Sequence, residues 1–149
     1  MRYIRLAITV GLLQMTLAVP SSANTVIAIC GESTGYRYDV GIPDLQQEGW
    51  QQDTITGGST TFISTNNGYD VVVKDAHGSK MATEEDAEIE LIGANNDAYT
   101  FVVKYPRGTV VVYSLSAPSG QKRKLLWSVT RNGTGLRDLQ GSMFVSDCD

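Results

Sequence analysis

The stretch Thr25-Val26-Ile27-Ala28-Ile29-Cys30-Gly31 organises the rest of the chain. It is apolar, rich in β-branched residues, and contains one of only two cysteines. The other cysteine, Cys148, is the next-to-last residue. The one disulfide that a single chain can form therefore joins Cys30 to Cys148 and closes nearly the whole domain into a loop. The chain-entropy model gives such a loop about 4–5 kcal/mol of stabilisation.

The residues before this stretch have the pattern of a secretory signal peptide. Arg2 and Arg5 precede the mostly apolar run Leu6 to Val19, and Ser21-Ser22-Ala23 forms a small-residue cleavage site. The run is too short for a membrane span of about 20 residues. An uncleaved anchor or a buried first helix is the alternative. We therefore expect a signal peptide over residues 1–23 and one β domain over residues 24–149.

Export bears on both the cysteines and the location of the protein. Cysteine pairs in exported chains form disulfides more often than metal sites, although two free thiols are the alternative here. The sequence thus predicts a secreted protein, either periplasmic or extracellular. No second long apolar run follows residue 23, so we expect no membrane anchoring after cleavage.

The charge of the chain disfavours some partners. The net charge is −4, and the predicted signal peptide contains two arginines and no acidic residue, so its removal makes the domain more acidic. Nucleic acids and anionic membranes attract basic surfaces. We expect no nucleic-acid partner.

The central part of the chain has the two-residue period of β-strands. The clearest case is a hairpin in which Tyr99, Phe101, Val103 and Tyr105 share one face and Pro106-Arg107-Gly108 reverses the chain. Asn66-Asn67-Gly68 is a second hairpin turn, because Asn and Gly tolerate positive φ. Turn signals recur every 8–12 residues. The pattern predicts an all-β fold, an antiparallel barrel or sandwich of about eight or nine short strands.

One segment has two interpretations. In the first, Ile89 and Leu91 face one side of a strand while Glu88 and Glu90 face the other. In the second, Thr83 caps a short helix that runs to Ile92, with acidic residues in its first turn.

No catalytic or metal-binding arrangement stands out. His77 is the only histidine and lies in a turn-like Asp-Ala-His-Gly sequence, where no nucleophile motif accompanies it. The acidic residues between Glu84 and Glu90 lack the spacing of a calcium loop and are typical of a solvated surface. We predict no catalytic residue, no metal site and no cofactor.

Aromatic residues in the first third of the domain are the candidate binding residues. Tyr36 and Tyr38 alternate with Arg37 and Asp39, which indicates a half-buried strand, and Trp50 follows a polar, Pro-containing connector. Large amphipathic rings beside irregular backbone can line a binding surface. Tyr36, Tyr38 and Trp50 are therefore the predicted ligand-binding or partner-binding residues. The alternative is that they cover one end of the fold, and we expect Trp127 to lie in the core.

Three groups of residues in the mature domain resemble a known set of proteins. The groups are Cys30-Gly31-x-Ser33-x-Gly35-Tyr36-x-Tyr38, Gly49-Trp50-x-x-Asp53-x-Ile55-x-Gly57-Gly58, and Tyr69-Asp70-Val71. In these motifs, in length, in signal peptide and in its C-terminal cysteine, the chain is similar to a group of small bacterial secreted proteins with no established activity. The resemblance implies a bacterial, exported, single-domain protein.

These features favour binding over catalysis. A compact acidic β domain with one disulfide and no catalytic constellation is typical of a non-enzymatic binding or inhibitor-like module. The expected occupant is a protein partner or a small envelope ligand. The alternatives are a small secreted hydrolase whose catalytic residues do not stand out in the sequence, and a structural or stress-related envelope protein.

Overall fold

The protein is described from a computed structural model, which covers residues 24–40, 49–96, 98–116, 121–132 and 139–149. The predicted signal peptide, residues 1–23, lies outside these described residues. Within them, no helix is long and apolar enough to cross a membrane. The strands are β1 (Thr25–Val40), β2 (Gly49–Ile55), β3 (Ser59–Thr65), β4 (Gly68–Asp75), β5 (Gly78–Met81), β6 (Glu88–Ala94), β7 (Ala98–Lys104), β8 (Thr109–Ser116), β9 (Arg123–Asn132) and β10 (Leu139–Cys148).

The strands form one antiparallel sheet that curls into a half-barrel. Its order is β5-β4-β3-β1-β10-β9-β8-β7-β6, and β2 pairs with β1 beside this path. The predicted all-β fold is confirmed, and of the two predicted architectures the structure has the barrel-like one.

The two terminal strands of the domain are neighbours in the centre of this sheet. Cys30 of β1 lies directly opposite Cys148 of β10, and a disulfide joins them with their Cα atoms 3.9 Å apart. Both cysteines are buried. The predicted disulfide is confirmed, and it pins β1 to β10 at one end of their shared ladder.

Strand β1 is long because it pairs with two different strands along the same edge. Its first half, Thr25 to Cys30, pairs with β3, and its second half, Ser33 to Asp39, pairs with β2. The β1–β10 register shifts between Cys30 and Ser33, at the boundary between the two halves. Such an irregularity bends a strand and increases its twist. The bend lets the second half of β1, together with β2, turn away from β3.

Aromatic packing shows how strongly the sheet curls. The ring of Phe62 in β3 stacks on Phe101 in β7 with centroids 5.4 Å apart, and meets Tyr113 in β8 edge-on at 5.3 Å. In the sheet order, β1, β10 and β9 separate β3 from β8. Rings from such distant strands can touch only if the sheet brings two walls face to face. The core lies between these walls.

The predicted turns also appear. The β3–β4 hairpin turns at Asn66 and Asn67, and the β7–β8 hairpin turns at Pro106 and Arg107. Gly68 and Gly108 both have positive φ, at 132° and 79°, a conformation that glycine adopts without a steric cost.

The helical interpretation of Thr83 to Ile92 is wrong. The segment forms a single 3₁₀ turn, Thr83–Glu85, and then strand β6. The buried carboxylate of Asp70 in β4 holds the turn, because it accepts hydrogen bonds from the Thr83 hydroxyl and, at 3.4 Å, from the Thr83 N–H. After the turn, Ile89 and Leu91 pack against the core while Glu88 and Glu90 are exposed.

Candidate functional site

The concave face of the half-barrel contains a cleft of about 420 Å³. Side chains of β1, β2 and β10 line one wall, and side chains of β3, β4, β8 and β9 continue around it. Glu85 of the 3₁₀ turn and Tyr105, which follows β7, complete the lining. Small-molecule sites have volumes of about 300–1000 Å³, so the cleft has the size of such a site.

Strand register arranges the inward side chains in rows that run across β1, β10, β9 and β8. Every second residue of an antiparallel strand faces the same side, and directly opposed residues share a face. From the disulfide end, the rows are Ser33-Ser146-Leu125-Leu115, Gly35-Phe144-Trp127-Tyr113, Arg37-Ser142-Val129-Val111 and Asp39-Gln140-Arg131-Thr109. The second row is therefore aromatic and the fourth is polar, so the cleft has an aromatic floor and a polar end.

Trp127 is the centre of the aromatic floor. Its ring stacks on Phe144 with centroids 4.6 Å apart, and Tyr113 lies on its other side at 6.2 Å. The indole Nε1–H donates a hydrogen bond to Ser33 Oγ at 3.1 Å. These contacts hold the indole in one orientation. Trp127 packs against the core, as expected, but it is only partly buried because its remaining surface faces the cleft.

Arg37 organises the polar end of the cleft. Its Nε–H donates to Asp39 Oδ2 at 2.6 Å and its Nη1–H donates to Asp53 Oδ2 at 3.0 Å. Asp39 is buried, whereas Arg37 and Asp53 are each about one-third exposed. A buried carboxylate requires such a charged partner. The two carboxylates in turn fix the guanidinium, which can still donate from its remaining N–H groups.

A second arginine, Arg131, lies on β9, two strands away from Arg37 and in the neighbouring row. Arg131 Nη1 donates a hydrogen bond to Gln140 Oε1 at 3.4 Å, and Gln140 lies opposite both Arg131 and Asp39. Gln140 thereby lies between Asp39 and Arg131 in the polar row. The arrangement presents amide and guanidinium donors close to carboxylate acceptors.

Two tyrosines in the cleft keep their protons well above neutral pH. Burial raises the pKa of the Tyr113 phenol, and the neighbouring Tyr105 raises it further. The pKa of Tyr105 is also raised, first by burial and then by the negative charges of Glu85 and Asp70, while Arg131 opposes the shift. Both groups can therefore donate a hydrogen bond to a ligand, and neither is suited to act as a base near pH 7.

Charged residues of both signs line the cleft. Arg37, Lys74 and Arg131 are cationic, and Asp53, Asp75 and Glu85 are anionic. The buried Asp39, which pairs with Arg37, adds a further carboxylate to the polar end. The cleft is therefore not a site of one charge.

The predicted binding residues Tyr36, Tyr38 and Trp50 lie on the opposite, convex side. They belong to strands β1 and β2 and not to loops. Tyr38 and Trp50 are directly opposed across the two strands and their rings meet edge-on at 5.6 Å. Tyr36 lies opposite Met143, and Tyr36, Trp50 and Met143 are 55%, 60% and 51% exposed. These four residues form what we call the outer aromatic surface.

The other candidates from the sequence do not form a catalytic or metal site, although Glu85 also lies at the lining of the cleft. His77 is exposed in the β4–β5 turn, where its backbone N–H donates to Asp75 Oδ1 at 2.7 Å. Across the ranges that the structure describes, no group of three His, Cys, Asp or Glu side chains is placed to hold a metal ion. Glu90 pairs with Lys104 and Glu85 pairs with Lys80, as expected of a solvated acidic surface.

Sequence reasoning missed the residues of the polar end: Arg37, Asp53, Arg131 and Gln140. The alternation of Arg37 and Asp39 with Tyr36 and Tyr38 was visible, but it indicates two different faces without saying which one is inside. The distance between Arg131 and Asp53 in the chain also hides that both line one cleft.

Comparison of the chain with protein-family models, with curated proteins and with solved structures finds no match.

Proposed function

We propose that the protein is an exported, non-enzymatic binding module that holds a small ligand in the cleft of its half-barrel. The observation that carries this proposal is the composition of the cleft. A fixed aromatic floor lies beside a polar end in which Arg37 is oriented by Asp39 and Asp53. Apolar surface with a few converging polar groups is the usual make-up of a small-molecule site.

The hydrogen bonds and ion pairs that the polar side chains of the cleft already make favour binding over catalysis. The hydroxyl nearest the floor, that of Ser33, is hydrogen-bonded to Ser146 Oγ at 2.5 Å and to Trp127, and no histidine lines the described cleft to activate it. An activated nucleophile needs an adjacent base. Asp53 is engaged by Arg37, a contact that orients it as an acceptor.

Export is supported by the disulfide. Cys30 and Cys148 are bonded and buried, and structural disulfides persist in oxidising compartments such as the periplasm and the extracellular space. The proposed signal peptide over residues 1–23 would deliver residues 24–149 to such a compartment. The bacterial origin rests on the sequence resemblance alone.

The proposal is tested by asking whether the cleft captures small molecules. Residues 24–149 are incubated with a small-molecule extract of a bacterial culture, and bound compounds are measured by native mass spectrometry. We expect at least one compound to bind the wild type and to be lost in Ser142→Phe, because Ser142 is buried in the cleft lining. Ser128→Phe on the outer face of β9 is the matched control and should keep the compound, since Ser128 lies opposite the exposed Met143.

Two results would contradict the proposal that the cleft binds a small ligand. If no compound binds a folded wild-type protein, or if Ser142→Phe retains the compound while circular dichroism and thermal melting show a native fold, the cleft is not the binding site. Release of a chemically altered compound would instead favour the hydrolase alternative.

A second candidate function is binding of a protein partner by the outer aromatic surface. The observation that favours it is the exposure of Tyr36, Trp50 and Met143 on adjacent strands, since Trp and Tyr are enriched at the energetic centres of interfaces. Photo-crosslinking from position 50 in culture, followed by identification of the adduct, tests it. Loss of the adduct in Tyr36→Ser, with retention in Thr34→Ala, is expected. Equal adducts in both variants would contradict this function.

A further inference from the structure

We infer that the cleft takes an uncharged polyhydroxylated ligand, namely one or two neutral sugar rings. This inference deepens the proposed binding function and rests on it. Three features of the cleft carry it: the balance of its charges, the mixture of donors and acceptors, and the aromatic floor.

The charge balance disfavours ligands with a net charge. Three cationic and three anionic residues line the cleft, and Arg37 pairs with Asp53 and with the buried Asp39. A site for an anion such as a phosphate typically gathers arginines or backbone N–H groups without competing carboxylates. Here an anion would meet the carboxylates of Asp53 and Glu85, and a cation would meet the guanidinium groups of Arg37 and Arg131. Like-charge contacts of this kind select against charged partners.

The hydrogen-bonding groups match hydroxyls. A hydroxyl is both donor and acceptor. The polar end offers fixed acceptors in Asp53 and fixed donors in Arg37, with Gln140 able to act as either. Tyr105 and Tyr113 also line the cleft and add two phenol hydroxyls. Adjacent sugar hydroxyls can bond to an acceptor and a donor at once, which groups of a single type could not satisfy.

The aromatic floor supplies the apolar part of the recognition. One face of a pyranose ring is made of C–H groups, so it has an apolar side and a rim of hydroxyls. Trp127 and Tyr113 form an apolar surface directly beside the polar rows. The volume of about 420 Å³ lies at the small end of ligand sites and fits one or two rings better than a longer chain.

The test uses Trp127 as the reporter. The chain contains only two tryptophans, and Trp50 is on the outer surface, so Trp50→Phe leaves Trp127 as the single fluorophore. Neutral probes are maltose, cellobiose and N,N′-diacetylchitobiose. Charged probes are glucuronate and protonated glucosamine, each compared with the neutral monosaccharides glucose and N-acetylglucosamine, which also have a single ring. We expect a saturable change in Trp127 emission with at least one neutral sugar and at least tenfold weaker binding of both charged probes.

Charge variants give a second readout. Asp53→Asn makes the lining one unit more positive, and we expect it to raise the affinity for glucuronate relative to glucosamine. Arg131→Gln makes the lining one unit more negative and should do the reverse. Asp147→Asn, on the exposed side of β10, is the matched control and should leave the ratio unchanged.

The outcomes separate the ligand class from the binding function. If a charged probe binds the wild type more tightly than every neutral sugar, the class is wrong but the cleft still binds. If no sugar binds while an extract compound binds in a manner sensitive to Ser142→Phe, the class is again wrong and the function stands. If neither sugars nor extract compounds bind the folded protein, both fail.

Discussion

The indole nitrogen of Trp127 donates a hydrogen bond to the hydroxyl of Ser33, 3.1 Å away, although 94 residues separate them in the chain. The same hydroxyl bonds to Ser146, so the three side chains connect β9, β10 and β1. All three lie in the two rows nearest the disulfide. The contact places the aromatic floor relative to the strand that carries Arg37, and so couples the apolar and polar parts of the cleft.

Ser33→Ala should therefore destabilise the protein. It leaves the buried Ser146 hydroxyl and the Trp127 N–H without this partner, and an unsatisfied buried polar group costs about 1–3 kcal/mol. Urea unfolding followed by circular dichroism measures the free energy of unfolding. Ser128→Ala, on the outer face of β9, is the control and should change it by less than about 0.5 kcal/mol. Equal losses in the two variants would contradict the role of Ser33.

Gly35→Ala should be more damaging than Gly31→Ala. A Cβ at position 35 would collide with the backbone of Met143 and Phe144 in β10, so one strand must move. Strain of this kind costs about 1–3 kcal/mol. A Cβ at position 31 meets nothing within 4 Å. Thermal melting of both variants compares them, and a Gly35→Ala protein with the wild-type melting temperature would show that β1 and β10 do not approach this closely.

Removal of the disulfide should lower stability without changing the fold. The Cys30→Ala/Cys148→Ala variant loses a crosslink that spans 118 residues in sequence, for which loop entropy gives about 4–5 kcal/mol. Loss of buried sulfur contacts adds to this. Chemical denaturation of the variant and the oxidised wild type measures the difference. A difference below about 1 kcal/mol would mean that the β1–β10 ladder alone determines the position of the terminal strands.

The pH dependence of stability should reveal the buried Tyr113. Its folded-state pKa lies above the value of about 10 in an unfolded chain, so the folded protein retains the phenolic proton longer. This contribution is fully present below pH 10 and is lost as the pH rises through the folded pKa. We expect the unfolding free energy of the wild type to fall more steeply above pH 10 than that of Tyr113→Phe.

Absorbance near 295 nm gives an independent check on the same residue. The difference between the alkaline titrations of the wild type and Tyr113→Phe should show one tyrosine that ionises above the ordinary phenol pKa of about 10. Ionisation of Tyr113 at about pH 10 would show that water reaches the aromatic floor.

Much of the fold could be predicted because its signals are local. The alternation in the Tyr99 to Leu115 hairpin, the Asn-Gly and Pro-Arg-Gly turns and the two-cysteine count each depend on neighbouring residues or on simple pairing. For the Thr83 to Ile92 segment the strand interpretation is confirmed, and the helical one is wrong for a tertiary reason. The turn there is held by Asp70 from another strand, and the core selects Ile89 and Leu91 as one face of a strand.

The candidate binding residues likewise divide into those that the sequence predicted and those that only the structure revealed. The sequence indicated that Tyr36, Tyr38 and Trp50 belong to a surface, and this remains a prediction for a partner. It did not indicate the cleft, because Arg37, Asp53 and Arg131 become neighbours only through strand pairing and curl.

By itself, then, the sequence determined the strands, most turns, the all-β class and the partner of each cysteine, since hydrophobic alternation and turn chemistry act over a few residues. Only the tertiary structure decided which face of β1 is inside. Both of its faces are mixed, and the bend near Cys30 together with the curl of the sheet turns Arg37 and Asp39 inward and Tyr36 and Tyr38 outward. The physical reason is that burial depends on what lies opposite a strand, which local pattern does not specify.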